Sequence, residues 1–121
     1  MKLTFKKTSQ KLLLTAIASS LAVPVMAQVK VGVINSLSGN FAAFGVRYNT
    51  GLEVALEEIN AAGGINGEPL ELVKHDDRSD AQSALSALEA LNRQKVPVVI
   101  GSYASGITGP VSKTASRQKL P

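Results

Sequence analysis

The chain has 121 residues, no cysteine, one histidine and a formal net charge of +4. The positive excess lies at one end, in Lys2, Lys6, Lys7 and Lys11; beyond Ala27 nine Lys and Arg face nine Asp and Glu, so no basic surface points to a nucleic-acid partner. The absence of cysteine excludes disulfides, thiolate metal ligands and a lipid anchor attached to a cysteine after a leader.

The four lysines precede an apolar stretch over residues 12–25, broken by Pro24 and followed by Val25-Met26-Ala27. A basic segment, a short apolar core and small residues at its end form the pattern of a secretory signal peptide, with cleavage expected near Ala27. The stretch is shorter than the ~20 mainly apolar residues that a membrane-spanning helix requires. Residues 1–27 are therefore assigned as signal peptide and the exported portion starts at Gln28, which implies a periplasmic location.

Residues 29–34, Val-Lys-Val-Gly-Val-Ile, are rich in β-branched side chains and predict a first strand. The loop "NSLSGNFAAFG" follows, and then Leu52, Ala55, Leu56 and Ile59 fall at the spacing of one helical face. Gly63 and Gly64 close that helix, and "INGEP" makes a further turn. Residues 69–75 predict a second strand running into "DDRSD", where Ser79 and Gln82 have capping-box spacing. Ala81, Ala84, Leu85, Leu88 and Leu91 trace the buried stripe of a second helix. Residues 96–100 are continuously apolar and predict a third strand, covered on both faces; a loop, "GSYASGITG", and a weaker helix over residues 111–119 complete the chain.

Strands and helices alternating in this order predict an α/β fold, a parallel sheet of βαβαβα units with right-handed crossovers. Ligands of such sheets collect at the carboxyl ends of the strands. The three loops at 35–45, 76–80 and 101–109 are therefore the candidate site. In the third, Ser102, Ser105 and Thr108 offer hydroxyl donors, and a helix N-terminus offers unpaired amides to a carboxylate or phosphate. The alternative is that Ser105 or Thr108 caps the helix, with Pro110 near its first turn. In the first loop Phe41 and Phe44, with Tyr48 close by, form an aromatic wall suited to an amino acid or small organic acid, or else pack beneath the helix.

Catalytic and metal readings find less support. Asp76 and Asp77 are neighbours at a strand end and point to opposite sides, so they do not pair at one site. His75 is the lone histidine and has no converging ligands in the sequence. Neither a G-x-S-x-G elbow, a dinucleotide or P-loop glycine motif, nor H-E-x-x-H occurs. Neither a cofactor nor a metal is expected, and an exported hydrolase would need Ser105 to reach His75 across separate loops.

Three stretches, "VKVGVINSLSGNFAAFG", "GLEVALEEINAAGGINGEPLELVKHDDRSD" and "VPVVIGSYASGITGPV", together resemble the periplasmic solute-binding proteins of branched-chain amino acid ABC transporters, the leucine/isoleucine/valine-binding type. The resemblance implies a two-lobed, type I periplasmic-binding-protein fold that closes on a small-molecule amino acid or related organic acid and delivers it to an inner-membrane ABC permease. It implies no enzymatic activity. On this resemblance Ser105 corresponds to the serine that holds the ligand carboxylate, Tyr103 and Ala104 line the pocket, and Phe44 is the aromatic residue of the first loop that covers the ligand. Leucine-binding members have a tyrosine-like position there, and close relatives take amides, urea or aromatic acids. A ligand-sensing domain of the same fold, serving a receptor or regulator, is the alternative role. Family members continue beyond the "KLP" equivalent, so residues 28–121 are expected to form a partial N-terminal lobe, the first part of the ~300 residues that a two-lobed fold of this kind needs.

Overall fold

A computed structural model describes residues 27–121; the assigned signal peptide lies outside them except for Ala27. Three strands and three helices alternate: β1 (Val29–Asn35), α1 (Ala42–Ala61), β2 (Leu70–Asp76), α2 (Ala81–Arg93), β3 (Val99–Ile100) and α3 (Ser105–Arg117). The strands form one parallel sheet in the order β2-β1-β3, in register from Val29 opposite Leu70 to Asn35 opposite Asp76, and with Gly32 opposite Val99. The α/β class and the parallel sheet of βαβαβα units are as the periodicities predict.

The strand order reverses direction at β1. Right-handed crossovers therefore carry α1 over one face of the sheet and α2 over the other, and α3 packs beside α2. The core lies on the α2 and α3 side, where Ile34 of β1 meets Ala84, Leu88 and Leu91 of α2, and Ile107 and Val111 of α3. Ile34, Leu88 and Leu91 are fully buried, each contributing about 1.5–3 kcal/mol over exposure. Gly32 lets α2 approach the central strand, since a Cβ there would come within 2.9 Å of a Leu91 methyl. On the other face, the expected stripe of α1 is only half-covered at Leu52, Leu56 and Ile59 and exposed at Ala55. The end of α1 is tied to the sheet by Asn60, whose amide donates to the Leu70 carbonyl (3.0 Å) and whose oxygen accepts from the Leu70 N–H (2.7 Å). Gly64 makes the turn after α1, with φ +75° and the Glu68 carbonyl 2.0 Å from where a Cβ would stand.

Four boundaries differ from expectation, each for a tertiary reason. Helix α1 begins at Ala42, inside the predicted first loop, because the Phe41 N–H is caught by the Ser79 hydroxyl (2.9 Å) of the neighbouring loop. The Ser79–Gln82 capping box does not form. Arg78 and Ser79 turn through positive φ, and Asp80 becomes the N-cap of α2, accepting from the Ser83 N–H at 2.7 Å. Strand β3 keeps only Val99 and Ile100, because Val96 stays bonded to the end of α2 through the Leu91 carbonyl and β3 has one neighbour, not two. Finally, α3 starts six residues early at Ser105 and carries Pro110 in its interior. The carbonyl that Pro110 cannot engage belongs to Gly106, and both residues are exposed to water.

Candidate ligand-binding site

The reversal of strand order at β1 opens a crevice between the carboxyl ends of β1 and β3, because the chain leaves β1 toward one face and β3 toward the other. Such switch points are where open α/β sheets bind ligands. Two loops flank this crevice, one following β1 and one following β3, and an aromatic ring from each side meets across it. Phe44, in the first turn of α1, and Tyr103 stack with centroids 4.9 Å apart and planes 5° from parallel. Both rings remain open to solvent, Phe44 at 47% and Tyr103 at 57%.

Beside the rings, α3 starts in an unusual state. Ala104 is its N-cap residue with extended backbone and makes no side-chain cap bond. The Ala104 carbonyl accepts from the N–H groups of Ile107 (3.0 Å) and Thr108 (2.9 Å). Among the described residues the N–H groups of Ser105 and Gly106, and the Ser105 hydroxyl, have no partner. Three donors thus lie together in the first turn at the positive end of a helix dipole, an arrangement that favours an anion. The capping alternative for Ser105 and Thr108 is not realised, since the Thr108 hydroxyl donates to the Ser102 carbonyl at 2.6 Å. Of the three hydroxyls expected to serve a ligand, two are engaged internally: Thr108 in that bond and Ser102 with Asp77 (2.5 Å).

The two adjacent aspartates point apart, as neighbours on a strand do. Asp76 turns outward and binds the first loop, accepting from the Leu37 (2.9 Å) and Ser38 (3.2 Å) amides, the Ser38 hydroxyl (2.6 Å) and the Arg78 amide (2.8 Å). Slight burial pushes its carboxyl up, but the Ser38 hydroxyl and these three amides outweigh that and hold it below the usual aspartate value. Asp77 turns inward and is fully buried. No group of three or more His, Asp and Glu side chains capable of holding a metal occurs among the described residues. His75 lies at the outer β2 edge, its ring 3.5 Å from the Gln94 amide, beside a polar hollow also lined by Asp76, Arg78 and Ser83. It is on the opposite edge of the sheet from β3, so the Ser105–His75 pair that a hydrolase would require does not assemble.

The family model for periplasmic binding proteins matches residues 28–121. The chain belongs to that family. Among its relatives, an amino acid binding protein of Pseudomonas aeruginosa is 38% identical over 112 residues, covering 89% of this chain and 30% of that protein. The Leu/Ile/Val-binding protein of Escherichia coli K12 is 38% identical over 84 residues, which are 69% of this chain and 23% of the relative. Among solved structures, the branched-chain amino acid transporter substrate-binding protein LivJ of Streptococcus pneumoniae, in complex with isoleucine, superposes with a TM-score of 0.74 at 34% identity, over 78% of this chain and 28% of that one. The chain thus spans between about a quarter and a third of the length of these periplasmic binding proteins.

Within this family member, the four residues singled out by sequence fall together. Phe44 and Tyr103 touch, Ala104 and Ser105 follow directly, and all four lie at the β1–β3 switch point. An apolar groove of about 300 Å³ lies elsewhere, beside β3 between Val99, Thr108, Val111 and Leu120. Its lining is mainly apolar, and the Val99 N–H on this side of β3 already donates to the Pro121 carbonyl at 2.8 Å, so it is not the anion seat. Sequence reasoning missed Asp77, Ser36 and Ser102 as a unit, because they are 41 and 25 residues apart and no local spacing joins them.

Proposed function

We propose that this chain is part of a periplasmic substrate-binding protein that captures a branched-chain or related amino acid and hands it to an inner-membrane ABC permease. Residues 1–27 act as the export signal, and residues 28–121 form part of the N-terminal lobe of the ligand-binding domain. The protein binds and releases its ligand without changing it, so the site needs donors and apolar walls, and no nucleophile.

The observation that carries this reading is the set of unpaired donors, the Ser105 hydroxyl and the Ser105 and Gly106 amides, beside the Phe44–Tyr103 pair at the switch point. In the proposed complex these donors hold the ligand carboxylate, Ala104 shapes the turn, and the two rings cover the aliphatic body. A side chain that is apolar and an end that is anionic match both halves of that surface. The Pseudomonas, Escherichia and Streptococcus relatives, all named as amino-acid binders, support the same ligand class.

The test is calorimetric titration of the product of the whole reading frame with aliphatic amino acids, amides and aromatic acids. Saturable binding of an aliphatic amino acid is expected. Ser105→Ala should weaken it by about 1–3 kcal/mol, the scale of one hydrogen bond to a charged group. Absence of binding across the whole panel would overturn the proposal.

A further inference from the structure

Asp77 is the one fully buried acidic side chain among the described residues, and its carboxylate joins all three loops at the carboxyl end of the sheet. It accepts from the Ser36 hydroxyl after β1 (2.6 Å), from the Ser79 N–H within its own loop (2.8 Å), and from the Ser102 hydroxyl after β3 (2.5 Å). No lysine, arginine or histidine pairs with it among the described residues. A buried carboxylate that lacks a counter-ion depends on its hydrogen-bond donors, so the three loops are bound to it as firmly as it is to them.

Ser102 is where this matters for the ligand seat. Its side chain is held by Asp77, and its carbonyl accepts from the Thr108 hydroxyl at 2.6 Å. Only Tyr103 and Ala104 lie between this doubly held residue and Ser105. We infer that Asp77 is a positioning residue: acting through Ser102, it fixes the turn that aims the Tyr103 ring and the free donors of Ser105 and Gly106 into the crevice. The inference rests on the proposed ligand seat for its consequence on binding, but the ordering of the turn itself does not.

The experiment compares Ser102→Ala, Ser36→Ala and Ser102→Thr in the product of the whole reading frame. Ser102→Ala and Ser36→Ala each delete one bond to the same carboxylate, and only the first lies on the side of Ser105. Both should lower stability to urea by similar amounts. Ser102→Ala alone should speed amide exchange at Ile107 and Thr108, which bond to the Ala104 carbonyl, and weaken amino-acid binding by roughly tenfold or more, the scale of one charge-assisted hydrogen bond. Ser102→Thr, which keeps the hydroxyl, should restore both. Equal losses of affinity in Ser36→Ala and Ser102→Ala, or unchanged exchange at Ile107 and Thr108 in Ser102→Ala, would overturn the positioning role. If the unaltered protein binds no amino acid, the proposed function fails, and the exchange measurement alone decides the role of Asp77.

Discussion

Replacing Gly45 by alanine tests the packing that places Phe44 at the site. Gly45 is buried in the first turn of α1, and a Cβ built on it would stand 1.7 Å from the Ser36 carbonyl oxygen and 2.6 Å from the Ser36 carbonyl carbon. Both are backbone atoms at the end of the central strand, so no side-chain rotation relieves the overlap. Helix α1 must retreat by more than an ångström to reach the 3.0 Å below which real Cβ contacts essentially never fall. That retreat also pulls the Gly45 carbonyl away from the buried Asn35 amide that donates to it at 2.8 Å. Overpacking costs about 1–3 kcal/mol and a broken buried hydrogen bond about 1 kcal/mol more, against a gain of about 1 kcal/mol for alanine over glycine in a helix. The net expectation is a loss of about 1–3 kcal/mol in equilibrium urea denaturation. Gly51, exposed in the same helix with nothing within 4 Å of its Cβ position, is the control: Gly51→Ala should stabilise by about 0.5–1 kcal/mol. A Gly45→Ala protein as stable as Gly51→Ala would refute the reasoning, since propensity would then outweigh the contact.

Asn60→Ala removes the pair of bonds to Leu70 and should cost about 1–3 kcal/mol in urea denaturation; Asn60→Asp, which keeps the acceptor for the Leu70 N–H and loses the donor to the Leu70 carbonyl, should also destabilise. Acid should weaken the protein through Asp76 and Asp80. The Ser83 backbone and side chain at the α2 N-terminus hold the Asp80 carboxyl below the ordinary value of 3.8; for Asp76, burial raises the carboxyl, but the Ser38, Arg78 and Leu37 donors together outweigh it and hold it below that value. Because both folded-state values are depressed, the stability they supply is present above 3.8 and is lost as pH falls through the lower folded-state values. The urea midpoint should therefore fall as pH drops below 3.8, and Asp76→Asn should flatten part of that slope; an unchanged slope would remove Asp76 from the account. Phe44→Ala should weaken amino-acid binding by about 1–3 kcal/mol through lost apolar cover, with calorimetry as the measure and an unchanged affinity as the refuting result.

Much of the architecture was legible because it is written in short-range patterns. Leu88 and Leu91 share a helical face through their spacing, β1 declares itself by its valines, and Gly63-Gly64 ends α1 as the sequence suggests. Boundaries were harder. The Ser79 hydroxyl could cap a helix by spacing alone, yet it donates instead to the Ser38 carbonyl at 2.7 Å, a partner 41 residues away. Ser102 and Thr108 read as ligand donors for the same reason: a hydroxyl in a loop does not reveal which acceptor folding will bring to it.

By itself, then, the sequence determined three βα units, their order, and the assignment of the loops after each strand to one end of a parallel sheet, since these follow from local periodicity and the fixed hand of crossovers. The tertiary structure decided that β1 is central. That choice makes the β1–β3 crevice, brings Phe44 against Tyr103, and lets one buried carboxylate, Asp77, gather Ser36 and Ser102 from opposite sides. The reason is physical: strand order and register arise from burying Ile34, Leu88, Leu91, Ile107 and Val111 in one shared core, a condition on residues far apart in the chain that no local window contains.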